Sequence, residues 1–402
     1  MPPSSESSTS SGAESDSSSV VYDHEPFVTF ASRVVELAVR SIWPGAAEDE
    51  IAVERMQGGG FNRIIGLDRH HRDGSGRTTR HILRIPRFDS AQVGNDVAIL
   101  RFLHQKSNIP APEVVMFDEG DANALESPYA VQTRIQGVGL HSSFPNLGHA
   151  QKCRVARELG AVFNQMLSVG SSVAGKLVLP PEPAEKNAPV YVLPLGCEDA
   201  GLEKPYSDGE QFESTHDLLK GVFLARKASD EEKFSKGTVV TEHWDKFCQM
   251  TLELDAGGWL SDTRYSIAHL DFAPRNILVD PTSDTQAPIV TGILDWDSAV
   301  LAPRFMSCTP PMWIWAWQDD EDEDERLAND DPGTAEGREL KALFEEAVGG
   351  DYVRLAYEPV YRLARRLVRF AVEGLRFNED FREADAMIEE WAVIYESSKP
   401  KH

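Results

Sequence analysis

The chain places two carboxylates and one amide in a pattern suited to phosphoryl transfer. The stretch Ile267-Ala268-His269-Leu270-Asp271-Phe272-Ala273-Pro274-Arg275-Asn276-Ile277-Leu278-Val279-Asp280 reads as an apolar approach, a polar loop and the apolar strand Ile277 to Val279. Shortly after it, Thr291-Gly292-Ile293-Leu294-Asp295-Trp296-Asp297 reads as a second apolar strand that delivers Asp295 at its end. Neighbouring strands with polar residues at their ends make a rigid platform on which side chains converge. Phosphoryl transfer needs oxygens to hold magnesium and one group to receive the attacking hydroxyl's proton. Magnesium takes one or two carboxylates beside the substrate phosphates. Asp295 and Asn276 then suffice as its protein ligands, and Asp271 is left to act as base. The plainer alternative is that these are turn and cap residues, roles that Asp and Asn often fill.

At these residues the sequence resembles the aminoglycoside phosphotransferase and choline kinase-like family, in its fungal-type branch. The pattern HxDxxxxN falls on His269, Asp271 and Asn276, and the apolar-apolar-DW-acid pattern on Ile293 to Asp297. The resemblance implies Asp271 as catalytic base, Asn276 and Asp295 as ligands of Mg2+, and His269 as a brace for the loop. It also implies a two-lobed, protein-kinase-like α+β fold, with a small five-stranded antiparallel lobe carrying one helix and a larger, mostly helical lobe. ATP would be the co-substrate, with GTP left open.

The amino-terminal half contains candidates for the other parts. Ile51 to Met56 reads as a strand, Gly58-Gly59-Gly60-Phe61-Asn62 as a flexible turn and Arg63 to Leu67 as the returning strand. Three glycines let backbone N–H groups approach phosphate oxygens, though such a run also makes an ordinary hairpin. It resembles the family's GGxxN nucleotide loop, with Asn62 at the family's Asn. After the turn Asp73-Gly74-Ser75-Gly76, the strand Arg80 to Ile85 places Arg84 where the family has a phosphate-reaching Lys or Arg. The following helix, marked by Val93, Val97 and Leu100, puts Asp96 where the family usually has Glu. A forked Arg and a short Asp depart from the usual Lys and Glu geometry. Glu113 to Phe117 and Tyr129 to Ile135 read as two more strands. The resemblance to the interlobe hinge turns the backbones of Thr133 and Ile135 toward the base, with Gln132 guarding its pocket.

Downstream, Val155, Leu159, Val162, Phe163 and Met166 mark one helical face, and Trp244, Phe247, Met250 and Leu254 another. Asp351 to Phe377 and Asp380 to Tyr395 read as two long amphipathic helices. The expected organisation is a disordered Ser-rich acidic tail over 1–24, a nucleotide-binding lobe over 25–135, and a catalytic and acceptor-binding lobe over 136–402. An acidic flexible insertion is expected over 318–335.

With 402 residues, 41% of them hydrophobic, the chain can fill two cores. Its four cysteines have no paired metal spacing, so neither a disulfide scaffold nor a zinc site is indicated. No apolar run approaches the ~20 residues of a membrane helix. The Ser-rich amino terminus lacks the apolar core of a secretory signal, so a cytoplasmic enzyme is expected. A net charge of -25 disfavours a nucleic-acid partner, because phosphate backbones repel such a surface. The acceptor expected is a small molecule, with positive charge favoured. Asp297, Trp313 and Trp315 are candidates to contact it, since aromatic faces bind ammonium groups; tryptophans at alternate positions also form core stripes.

Three classes therefore stand: a small-molecule kinase, a catalytically idle pseudokinase serving as a nucleotide-binding interaction module, and a protein kinase. The last is disfavoured by His269-Leu270-Asp271 without the usual Arg and by Asp-Trp-Asp in place of Asp-Phe-Gly. The second is motivated by Arg84 and Asp96, and opposed by the joint presence of Asp271, Asn276 and Asp295. Oligomeric state has no signature in the sequence.

Overall fold

Period-two patterning in the amino-terminal third produces an antiparallel sheet. In the computed structural model, which describes residues 26–56, 61–87, 93–180, 190–195, 214–234, 239–284, 286–317 and 324–398, the strands are β1 (Ile51–Arg55), β2 (Asn62–His70), β3 (Thr78–Pro86), β4 (Val114–Asp118) and β5 (Tyr129–Thr133). They lie in the order β1, β2, β3, β5, β4, every neighbour antiparallel. Successive strand residues face opposite sides, and on β3 the residues His81, Leu83 and Ile85 are buried. Leu83 and Ile85 join Ile65, Leu67 and Val131 in a core closed by Phe30, Val34 and Leu37 of helix α1 (Phe27–Leu37). Arg84 alternates to the other face, cross-strand from Ile64 and Ala130.

The chain divides into two compact units. This sheet and α1 belong to the smaller, residues 1–93 and 114–134; residues 94–113 and 135–402 form the larger. Helix α2 (Val93–Lys106) falls, beyond its first residue, in the larger unit. There follow α3 (Leu140–Ser143), α4 (His149–Ser168), α5 (Thr215–Phe234), α6 (Val239–Ala256), α7 (Ala335–Val348), α8 (Gly350–Tyr357), α9 (Pro359–Glu373) and α10 (Asn378–Ser398). The expected single helix from Asp351 to Phe377 is thus two. Pro359 has no N–H to continue the ladder, and its predecessor Glu358 is extended (φ -68°, ψ 121°), so α8 ends and Pro359 opens α9. No described helix is long and apolar enough to cross a membrane.

Two further sheets complete the larger unit. Strands β7 (Gly170–Ser171), β8 (Gly175–Val178), β9 (Tyr191–Pro194), β10 (Tyr265–Ala268) and β13 (Val300–Pro303) make one. The other joins β6 (Val138–Gly139), β11 (Ile277–Val279) and β12 (Val290–Ile293), with β11 central. Helix α4 braces the β11–β12 hairpin. Its apolar face is buried as the periodicity predicts, while polar residues along it reach the loop. Gln151 Nε2 donates to the Pro281 carbonyl at 2.7 Å, and Arg154 Nη1 to that of Ser283 at 3.1 Å. The Glu158 carboxylate accepts from the backbone N–H groups of Ile289 (2.9 Å) and Val290 (2.8 Å), where β12 begins.

Hydrogen bonds to a charged acceptor contribute more than neutral ones, so Glu158→Ala is expected to cost roughly 1.5–3 kcal/mol. Glu158→Gln, which keeps one acceptor oxygen, should cost less. Urea denaturation followed by tryptophan fluorescence reads both; equal midpoints for wild type and Glu158→Ala would show that the brace contributes nothing.

Candidate active site

Three structural features bring His269, Asp271, Asn276 and Asp295 together. Strand β10, buried along its whole length, ends at Ala268 and delivers His269 into the interior, 2% exposed. A 3₁₀ turn over Pro274–Asn276 carries the chain into β11, closed by Asn276 N–H donating to the Ala273 carbonyl. Strand β12 returns antiparallel to β11 with Ile277 opposite Ile293, and Leu294 N–H then donates to the Asn276 carbonyl at 2.7 Å. The second strand is also tied to the segment after α2, where the Pro110 carbonyl accepts from Ile293 N–H at 2.7 Å. Gly292 permits this packing: a Cβ there would lie 2.9 Å from side-chain carbons of Ile135.

His269 links the two loops. Nε2 lies 2.9 Å from the Leu294 carbonyl, which can only accept, so Nε2 carries the proton. Asp271 N–H, which can only donate, lies 3.3 Å from Nδ1. Both bonds together require the neutral Nε2–H tautomer. Burial, the larger influence, pushes the imidazole below its ordinary value, against the bond to Leu294 and the nearby Asp271 and Asp295. The ring packs on Trp296 (4.5 Å between centroids), whose Nε1 donates to the Ile293 carbonyl.

Asn276 orients Asp271. Its Nδ2 donates to the Asp271 backbone carbonyl and to Asp271 Oδ2, both at 2.9 Å. The amide nitrogen is thereby committed to Asp271, and its Oδ1 is the atom left for a ligand. That oxygen and the exposed Asp295 carboxylate are the donor type magnesium requires, so the residues present fit the ion. Asp295 adopts left-handed backbone (φ 61°, ψ 55°), as does Leu270 (φ 60°). Such conformations cost non-glycine residues energy and persist where surrounding bonds over-determine them, as they do here.

Arg275 was not singled out by the sequence pattern. It follows Asp271 by four residues and its guanidinium pairs with Asp271 Oδ1. Both side chains are about 40% exposed (42% and 38%), so the pair is solvent-screened and exchangeable. Asp271 and Arg275 open onto a cavity of about 1310 Å³ whose far wall is made by α9 and α10. Its arginines are compensated: Arg362 pairs with Glu390, Arg365 with Glu325, Arg366 with Glu383, Arg369 with Glu373 and Arg326 with Asp324. Glu389 lines the same cavity and, among the described residues, has no ion pair.

The remaining candidates lie elsewhere or beyond description. Gly58, Gly59 and Gly60, the tail 1–24 and the acidic run through Glu323 fall outside the described residues. Asn62, Arg84 and Thr133 belong to the smaller unit, Asp96 and Ile135 to the larger. Gln132 is buried on β5. Trp313 and Trp315 are 5% and 7% exposed and do not line the cavity. Trp313 packs edge-on to Phe144, and Lys341 Nζ sits 5.7 Å from the Trp315 ring centroid. Asp297 is half-buried, its carbonyl 3.5 Å from Asn95 Nδ2.

A family model described as Phosphotransferase enzyme family (APH) matches residues 68–340, more than half of the chain. The chain belongs to this family and is a phosphotransferase of the kinase type. Among curated proteins, none matches it in sequence. In shape it is similar to a Ralstonia eutropha JMP134 protein assigned as an aminoglycoside phosphotransferase, at 15% identity and TM-score 0.49, covering 92% of this chain and 99% of that one. A streptomycin–ATP–APH(2")-IIa ternary complex is similar at 12% identity and TM-score 0.47, covering 89% and 96%. Choline kinase from Cryptosporidium parvum Iowa II is similar at 14% identity and TM-score 0.45, covering 91% and 95%.

The neutral His269 has a measurable consequence. Its folded value lies below the unfolded 6.5, so as pH falls through that value the unfolded chain binds a proton that the folded chain refuses. Stability is then full above about pH 6.5 and declines on acidification. Melting temperature in the wild type should fall more steeply between pH 7 and 5 than in His269→Gln; parallel profiles would contradict a neutral buried imidazole.

Proposed function

We propose that the protein transfers the γ-phosphoryl group of ATP to a hydroxyl of a small molecule in a Mg2+-dependent reaction. The observation that supports this most directly is the Asp271 carboxylate, held by Asn276 on one oxygen and facing a cavity large enough for an acceptor. Bound magnesium would supply charge neutralisation for the phosphates, and Asn276 and Asp295 would hold it. Asp271 receives the proton of the acceptor hydroxyl, for which Arg275 must yield or share Oδ1. The acceptor oxygen bonds to the γ-phosphorus as the bond to the β-phosphate oxygen breaks, and ADP departs. Arg84, positioned by Asp96, clamps the phosphates; Gly58, Gly59, Gly60 and Asn62 cover them; the backbones of Thr133 and Ile135 face the base. Dependence on a nucleoside triphosphate, together with the free thiols of Cys153, Cys248 and Cys308, suits a cytoplasmic setting.

The acceptor site proposed is the cavity rather than Trp313, Trp315 or Asp297, because the tryptophans are covered by Phe144 and Lys341. A cationic acceptor is favoured. The wall's guanidiniums are engaged by carboxylates, and Glu389 is left as an uncompensated negative charge.

Asp271→Asn should preserve nucleotide affinity and lower turnover by roughly 10²–10⁴-fold. Asp295→Ala should weaken magnesium-dependent nucleotide binding in calorimetry, as should Arg84→Ala, with Asp96→Ala milder. Turnover within a few fold of wild type for Asp271→Asn would remove the assignment, and a nucleotide-binding module would become the better reading.

An ATP- and GTP-consumption screen would offer aminoglycosides, choline-like amines and amino sugars beside neutral polyols and a generic protein. Phosphorylation of cationic compounds is expected, with Glu389→Gln raising their KM several-fold. Exclusive use of neutral or anionic acceptors would overturn the charge preference, and exclusive use of the protein would overturn the small-molecule reading.

A further inference from the structure

Away from the catalytic loop, the first turns of α4 and α7 present a cluster that phosphoryl transfer does not use. His149 and Cys153 are four residues apart on α4 and share one face. Opposite them on α7 stand Glu336 and Glu339. The two helices approach closely because Gly160, on the same stripe of α4, has no side chain; a Cβ there would lie 2.8 Å from both the Ala347 Cβ and the Phe344 carbonyl. Three donor atoms meet between the helix ends. His149 Nε2 lies 3.1 Å from Glu339 Oε2 and 3.6 Å from Cys153 Sγ, and Sγ lies 4.0 Å from Glu339 Oε1. A tetrahedral zinc ion with ordinary bond lengths separates its N, S and O ligands by about 3.3–3.6 Å. The other ring nitrogen, Nδ1, lies 3.2 Å from Glu336 Oε1. That contact is the carboxylate–histidine arrangement that fixes a metal-binding tautomer and points the Nε2 lone pair at the ion.

We propose that His149, Cys153 and Glu339 form a binding site for a borderline transition-metal cation such as Zn2+, oriented by Glu336 and completed by one water, which ties α7 to α4. The donor set of one imidazole, one thiolate and one carboxylate excludes Mg2+ and Ca2+, which take oxygen alone. The site is therefore chemically distinct from the magnesium ligands at the catalytic loop. Binding replaces the thiol proton, which leaves to solvent as the metal–sulfur bond forms. A metal here would also relieve the repulsion between the two glutamates, which Lys152, 3.5 Å from Glu336, offsets only on one side.

The test uses the full chain stripped with EDTA and titrated with Co2+, whose thiolate complexes give a near-ultraviolet charge-transfer band that all-oxygen sites do not. One equivalent of Co2+ should produce this band together with tetrahedral visible absorption, and Zn2+ should abolish both. Cys153→Ser should lose the band. Zn2+ affinity, measured against a chromophoric chelator, should fall at least about tenfold in Glu339→Gln and in His149→Ala. Glu339 is exposed, so that variant reports on the site even if Cys153→Ser folds poorly. A band that persists in Cys153→Ser, the absence of any band, or unchanged Zn2+ affinity in Glu339→Gln would each overturn the proposal and leave a cluster of ion pairs.

Discussion

The hydrogen bond from His269 Nε2 to the Leu294 carbonyl holds the two halves of the site in register. Asp271 and Asp295 carry like charge and are delivered by chain segments more than twenty residues apart in sequence; without a tie, repulsion favours their separation. A charged histidine would be a poor tie, because the same ring must accept the Asp271 N–H at Nδ1. Neutrality is therefore a structural requirement, and burial under Trp296 and Phe272 supplies it. The left-handed backbones of Leu270 and Asp295 flank this bond. For Leu270 this is disfavoured by on the order of 1–2 kcal/mol, while an Asp adopts it more readily, and the loop sustains the cost only while its partners stay fixed.

Helix α4 gives that register its foundation. Glu158, Arg154 and Gln151 hold the hairpin between β11 and β12, and Phe163 meets Phe272 of the Asp271 loop at 4.5 Å. Phe163 also contacts Phe344 of α7 and Tyr352 of α8. One helix thus touches the loop that carries Asp271, the hairpin whose ends carry Asn276 and Asp295, and helices α7 and α8. A displacement of α4 would be felt at all three, because packed interiors transmit small shifts rather than absorb them. The close approach of α7 enforced at Gly160 limits such displacement along half of its length.

What the sequence disclosed followed the range of the interactions. Alternation placed all five strands of the smaller unit within three residues of their ends, and the 3.6-residue period identified the buried faces of α4 and α6. The convergence of Asp271, Asn276 and Asp295 on adjoining loops was legible because their spacing along the chain is itself the signal. Glu158 was not, since its partners lie 131 and 132 residues away and leave no local pattern. The alternate tryptophans were ambiguous for a different reason: Pro310 and Pro311 replace the strand that such spacing suggests with a 3₁₀ turn over Met312–Ile314, and Trp313 packs on Phe144 while Trp315 packs on Phe344. The helix α1 that closes the first sheet carries no motif, only an amphipathic face with Phe30, Val34 and Leu37.

The large negative charge of the chain is a poor guide to the field inside the cavity. Asp324 and Glu325 close the longest acidic run, yet Asp324 accepts from the Arg326 backbone at 3.0 Å, and Glu325 meets Arg365, only 3% exposed. Arg365 also donates to the carbonyls of Leu355 and Ala356 at the end of α8. Its charge is consumed in fastening three segments, and removing Glu325 would leave a buried guanidinium without a counter-ion, which is strongly destabilising. The same logic applies to Arg362 against Glu390 of α10, whereas the pair of Arg366 with Glu383 is more exposed and solvent-screened. Charges that fasten the wall are fixed by its structure and respond weakly to a ligand; an exposed carboxylate without such a commitment responds strongly. Among the described residues that line the cavity, Glu389 is the carboxylate the architecture leaves without such a commitment.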